Sequence, residues 1–238
     1  MRLFTPSALG EIFSRIRSIS FAQYAEDLLL YQVFRPRDRG VYCDVGAYHP
    51  SHSSNTYKLY LRGWRGITVE PNPDREAAFK RIRPHDRHLV CGIARERGEL
   101  TYHRFKQDKF NTFELDEYRA ALERSGPPIT VPCLPLAEVL DKHAPGPVDL
   151  LSVDCEGLDL DVLKSNDWSK HRPTAVLIED IEEYCLRRDG AATQSPTAQY
   201  MRDLDYACVT QAMFTFFYFD RRAVDPPGFD IDASQIRG

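Results

Sequence analysis

The sequence lacks most of the signatures that would settle a function class at once. Its six cysteines, at positions 43, 91, 133, 155, 185 and 208, form no C-x-x-C pair, which argues against a zinc knuckle or a thioredoxin-type redox site. Long irregular gaps, with several cysteines inside apolar runs, fit free buried thiols in a reducing, cytoplasmic compartment. No apolar run approaches the roughly 20 residues of a membrane span, and there is no internal repeat or low-complexity tract. The opening "MRLFTPSALGEIFSRIRSIS" has no long apolar core and so does not read as a signal peptide. A basic excess is missing too: 31 Lys and Arg face 35 Asp and Glu, for a net charge of −4. No overall field therefore points to a nucleic-acid partner. Neither G-x-G-x-x-G nor G-x-x-x-x-G-K-[ST] occurs, so the usual glycine-rich cradles for pyrophosphate or nucleoside triphosphate are absent.

What is present is a regular alternation of elements. The 238 residues suffice for one large domain. Residues 1–37 read as a helical segment, with "GEIFSRI" and "YAEDLLLYQVF" apolar at helical spacing and Pro36 ending the second. Residues 38–222 read as an α/β domain and 223–238 as a loosely held tail. Strands are predicted at 41–45, 66–69, 88–93, 148–153 and 174–179. Helices are predicted at 54–62, 74–83, 135–143, 158–165 and 195–204. Such alternation predicts βαβ units and a mostly parallel, helix-covered sheet. Residues 98–105 and 128–133 add strands, and 106–127 form a polar, partly helical insertion. "YACVTQAMFTFFYFDRR" gives two strands split near Gln211, which predicts an antiparallel edge.

In such sheets ligands bind beyond the carboxyl ends of the strands, and four of the five predicted ends carry acids: Asp44, Glu70, Asp154 with Glu156, and Glu179 with Asp180. Glu70, after the second strand, suits a ribose, because a carboxylate accepts from two vicinal hydroxyls. Asp44 with Gly46 suits an ammonium group and a close backbone approach. An acidic rim suits a sulfonium. A ribose, an amino-acid end and a sulfonium, with no phosphate, describe S-adenosylmethionine.

Several ordered motifs agree. "SFAQYAEDLLL" holds Q-x-x-E-D, "YCDVGAYHPSHSSNTYKLYL" holds D-x-G-A-x-x-P followed by S-x-T-x-x-L, and "GWRGITVEP" and "SVDCEG" follow in turn, before "AVLIED". Over roughly residues 20–210 the chain resembles the FkbM-type methyltransferase family. The resemblance implies a class I methyltransferase (Rossmann-like) three-layer sandwich, with a mostly parallel seven-stranded sheet. It implies S-adenosylmethionine as donor and a hydroxyl of a sugar, glycolipid or polyketide-like product as acceptor. The cofactor-binding candidates are Gln23, Asp44, Gly46, Ala47, Tyr48, Glu70, Pro71, Asn72, Cys91, Gly92, Ile93, Asp154 and Glu156. The adenine is expected by Cys91 to Ile93 and the methionine part over Gly46, with Asp44, Glu70 and Asp154 converging on one cleft that Gln23 to Asp27 close.

The catalytic candidates are His49, His52, Asp154, Glu179 and Asp180. Each has a plainer alternative: the histidines as loop residues, Asp154 and Glu156 as helix-start acids, Glu179 and Asp180 as strand closure. Gln23, Glu26 and Asp27 share one helix face, which could equally be solvated. A divalent metal is allowed by Asp154, Glu179 or Asp180 but not required. The expected partner is a small-molecule or glycosyl acceptor, and a homo-oligomer is compatible with the chain. Nitrogen or carboxyl methylation and a non-catalytic cofactor-binding relative remain alternatives. A nicotinamide oxidoreductase fits poorly, for want of the glycine fingerprint.

Overall fold

The computed structural model describes residues 18–223. The helix expected around 10–16 and the tail expected from 224 lie outside the described residues. Among the described residues the first full helix, α1, is Glu26–Val33, shortly before β1 at Val41–Val45. There follow α2 (Tyr57–Leu61), β2 (Arg65–Val69), a 3-10 turn (Pro73–Arg75), α3 (Glu76–Ile82) and β3 (Arg87–Leu89). The middle of the chain holds β4 (Gly92–Ile93), β5 (Gly98–Tyr102), α4 (Glu117–Ala120), β6 (Ile129–Leu134) and α5 (Leu136–His143). The last part holds β7 (Leu150–Val153), α6 (Asp159–Lys164), β8 (Ala175–Glu179), α7 (Ile181–Arg188), α8 (Pro196–Asp203), β9 (Tyr206–Ala212) and β10 (Thr215–Asp220).

Seven strands form one sheet in the order β3-β2-β1-β7-β8-β10-β9. All pairings up to β8 are parallel, while β10 runs antiparallel to both β8 and β9. The antiparallel strand thus sits one place in from the edge, with β9 outside it. The chain winds from β1 outward to β3 and then re-enters on the other side of β1 as β7. That reversal makes the carboxyl ends of β1 and β7 the switch point where such sheets bind ligands.

Alternation along the strands builds two cores. Cys43, Val45, Ile67, Val69, Leu151, Val153, Val176 and Ile178 face Leu136, Val139, Leu140, Val162, Leu163 and Met201. Tyr42, Leu150, Ala175, Leu177 and Phe217 face the other way, onto Leu30, Val33, Phe34 and Leu59. No helix of the described residues is long and apolar enough to cross a membrane.

Two departures from expectation have local causes. The run 88–93 is not one strand. It pairs with β2 only as far as Leu89, and then Gly92 and Ile93 join β6 in a separate three-stranded sheet, β4-β6-β5. An unbroken apolar run carries no mark of a change of partner. Helix α7 was not expected, although its start was written in the sequence as an acid cap. Asp180 accepts from Glu183 N at 2.9 Å and so caps the helix.

Candidate active site

A cavity of about 360 Å³ opens beyond the tips of β1, β2 and β7. Of the expected cofactor residues, Gln23, Gly46, Tyr48, Glu70, Pro71, Asn72, Cys91, Gly92, Ile93, Asp154 and Glu156 line it. The insertion adds Asp108, Lys109, Asn111, Thr112 and Phe113 on this side.

Gly46 is required where it stands. Its φ is +77°, and an added Cβ would lie 1.8 Å from the carbonyl oxygen of Asp154. Only a bare backbone in the left-handed region lets the β1 loop meet the β7 tip. The Gly46 and Ala47 amides both donate to Val69 O at 3.0 Å. The loop then turns so that Tyr48 N donates to Glu70 Oε2 at 2.9 Å, while Asn72 N donates to Glu70 Oε1 at 2.8 Å. Glu70 is 5% exposed, and burial pushes its carboxyl up to about 7 despite these donors. The Tyr48 hydroxyl donates to Asp108 Oδ1 at 2.9 Å. Arg75 lies over the Tyr48 ring and pairs with Asp108, tying the insertion to the cavity wall.

Asp44 and Ala47 do not line this cavity, so the expected convergence of Asp44 with Glu70 and Asp154 has to be corrected. Strand alternation explains the difference. Val45 faces the cavity, so Asp44, its neighbour, points to the opposite face of the sheet. There it accepts from Thr56 Oγ1 at 2.5 Å, and Arg83 donates to the same Thr56 oxygen at 2.8 Å. Arg83 is 1% exposed and also donates to Tyr42 and Asp86. This buried network braces β1 and the start of α2, and Asp44 supports the site from beneath.

A second cavity of about 320 Å³ lies alongside. It is lined by Glu156, Asp159, Glu179 and Asp180, with Arg119 and Ile181. Glu156 belongs to both cavities and so marks their common wall. Ligand atoms of Asp154, Glu156 and Glu179 lie within 4.8 Å of one another, a spacing that suits either a shared proton or a divalent cation. Burial, and then the neighbouring acids, raise Asp154 well above the carboxylate range and bring Glu179 to about 7. The two carboxyls hydrogen-bond to each other and are raised together, so the pair holds a proton between them more readily than either acid would alone. Arg119 from the insertion pairs with Glu156.

The turn after β7 has its own organiser. Asp159 accepts from Cys155 N at 2.9 Å and Gly157 N at 3.2 Å. It thereby holds Glu156 in a left-handed conformation, φ 54°, which is rare for a side chain of this kind. Asp159, Arg75 and Arg119 were all missed at the sequence level. Only Asp159 left a signal there, as an acid opening a helix just after a glycine.

The two histidine candidates are not gathered here. Neither His49 nor His52 lines either cavity. Their rings stack at 3.4 Å, and His49 Nδ1 accepts from Ser51 N and His52 N. Desolvation pushes His49 down to about 4 and lowers His52. Asp180 does line the second cavity, but its two oxygens accept from Glu183 N and, at 2.5 Å, Ser195 Oγ.

A family model described as the methyltransferase FkbM domain matches residues 44–207. Among solved structures, a methyltransferase from Geobacter sulfurreducens is similar at 13% identity and a TM-score of 0.46, over 92% of this chain and 90% of that one. An O-methyltransferase from Bacillus cereus in complex with SAH is similar at 11% identity and a TM-score of 0.42, over 91% of each chain. The C-terminal domain of precorrin-6Y C5,15-methyltransferase from Rhodobacter capsulatus is similar at 12% identity and a TM-score of 0.37, over 81% of this chain and 85% of that one. No curated protein matches.

Proposed function

The chain belongs to the FkbM methyltransferase family, and on that premise we propose that it methylates a hydroxyl of a sugar, glycolipid or polyketide-like natural product. It is an S-adenosylmethionine-dependent enzyme, and the residues of the first cavity fit that cofactor. Glu70 is a buried carboxylate already oriented by the Tyr48 and Asn72 amides, and its remaining lone pairs suit the two hydroxyls of a ribose diol. Val69, Cys91, Ile93 and Leu158 supply an apolar lining for a flat base. Asp154 and Glu156, on the same wall, suit a cationic sulfur.

When bound, the cofactor supplies a methyl carbon already activated by its sulfonium. The chain aligns the acceptor, keeps water out and takes up one proton. The second cavity is the acceptor side. Its carboxylates accept hydrogen bonds from a polyhydroxylated molecule, with Ile181 as an apolar contact. Glu179 removes the hydroxyl proton as the oxygen is methylated, and its hydrogen bond with Asp154 holds it in place. Six free thiols support a cytoplasmic setting.

One observation carries this reading: Glu156 is common to both cavities, with Asp154 and Glu179 close beside it. The experiment is product analysis. The enzyme is incubated with S-adenosylmethionine and a panel of hydroxylated acceptors, with and without EDTA, and NMR locates the new methyl group. Methyl on oxygen, with turnover lost in Glu179→Gln, supports the reading. Methyl on nitrogen or a carboxyl group overturns it. Loss of turnover in EDTA assigns the acidic cluster to a cation instead of a proton.

A further inference from the structure

The segment before α1 is fastened on both sides of the site. Phe21 O accepts from Ser54 N at 2.9 Å, and the Phe21 ring meets Tyr57 edge-on at 5.0 Å. Both contacts lie on the chain that follows β1. On the other flank, Tyr24 meets Phe214 edge-on at 5.8 Å, in the turn that precedes β10. Thr215, the first residue of β10, pairs in register with Glu179 at the tip of β8. Residues 20–25 therefore run from the β1 side to the β8 side, across the carboxyl ends of the strands that carry the site.

Two buried acids at the start of α1 hold that course. Asp27 is fully buried and accepts from Ser20 Oγ at 2.6 Å and Phe21 N at 2.8 Å. Glu26, 2% exposed, accepts from Tyr24 N at 2.7 Å and Thr215 Oγ1 at 3.1 Å. Between the strap and the helix, Ala25 adopts φ 66°, a left-handed conformation that alanine takes only under constraint. Gln23, at the middle of the strap, lines the first cavity. Its amide nitrogen donates to the Tyr24 hydroxyl at 2.9 Å, which leaves its oxygen and one N–H for a ligand.

We propose that Glu26 and Asp27 are positioning residues, which hold residues 20–25 across the site so that Gln23 contacts the cofactor. This rests on the first cavity being the S-adenosylmethionine site. Among soluble-protein acids, two adjacent carboxylates buried at a helix start are costly unless fully bonded. Here all four oxygens bond the strap or the strand next to it, so the burial serves the placement of Gln23.

The test is a set of double-mutant cycles, with S-adenosylmethionine titrated calorimetrically into the full chain. Gln23→Ala is expected to weaken binding about fivefold or more, the loss of one or two hydrogen bonds. Glu26→Gln and Asp27→Asn are expected to weaken it comparably. In the Gln23→Ala background each should add less than about twofold, because a misplaced strap has nothing left to misplace. Full additivity, or unchanged affinity with only a lowered melting temperature, overturns the proposal and returns both acids to fold stability. Should the acid variants fail to fold, Thr215→Val removes the Glu26 bond to β10 and Ser20→Ala removes the Asp27 bond together with the Ser20–Ala22 contacts, and both must still weaken binding in the presence of Gln23. The underlying reading is tested apart from this: if wild type and Glu70→Gln bind S-adenosylmethionine equally, the cavity assignment fails whatever the strap does.

Discussion

Glu70 and Glu179 reach the same condition by different routes. Both stand at or just past the tip of a parallel strand and both are raised to about 7. Around Glu70 the burial is opposed by backbone donors on each oxygen and by Arg75. Around Glu179 the burial is reinforced by Glu156, Asp159 and Glu26, and the one hydrogen bond that lowers it comes from another acid. A carboxylate braced by fixed amides is oriented and suits recognition. A carboxylate crowded by acids binds a proton readily and suits proton transfer. The value of a pKa does not separate these roles; the identity of the neighbours does.

The largest expected effect separates the two residues by kinetics. Glu179→Gln should lower kcat by about 10²-fold or more, with S-adenosylmethionine affinity unchanged, as removal of a general base does. Equal turnover in wild type and variant would remove Glu179 as the base. Glu70→Ala should do the reverse and weaken S-adenosylmethionine binding at least about tenfold, since charge-assisted hydrogen bonds contribute about 1.5–3 kcal/mol each. Calorimetry reads this directly, and unchanged affinity would break the comparison at its other end.

A smaller effect concerns protons. Glu70 is raised in the folded state, so between its ordinary value and about 7 the native chain holds a proton that the unfolded chain has lost. Stability without ligand therefore falls as pH rises through that window and stays lower above it. For Glu70 alone the change is at most about 3.5 kcal/mol. Denaturant midpoints measured from pH 5 to 8 should fall, and Glu70→Gln should flatten the slope. Cofactor binding should release a proton near pH 7, visible as a dependence of the calorimetric enthalpy on the buffer's ionisation enthalpy.

The smallest effect is expected at the histidines. His49→Ala and His52→Ala should each change kcat by less than about threefold, because the two rings stack on one another outside both cavities. A larger loss in turnover, with affinity kept, would transfer the base from Glu179 to the loop.

Local pattern was enough for much of this molecule. The strand at 41–45 was expected residue for residue, and the helix at 135–143 was one residue long at its start. Amphipathic period and strand-end acids depend on neighbours in sequence, so the sequence shows them. Glu70 and Gly46, which line the first cavity, were legible for the same reason, since each follows a strand whose end the pattern marks. Arg75 and Arg119 were not, because an arginine in a polar segment looks the same whether it faces water or a carboxylate.

Tertiary structure alone decided the rest. It turned Asp44 under the sheet, because which face a strand residue takes depends on what covers each side. It divided 88–93 between two sheets, because strand partners are remote in sequence. It brought Glu26 beside Thr215 and Asp154 beside Glu179, pairs separated by whole elements, and only the winding of the sheet places them together. The raised carboxyls follow from that winding: a pKa is set by the water and charge that remain around a group after folding, and neither quantity exists in an extended chain.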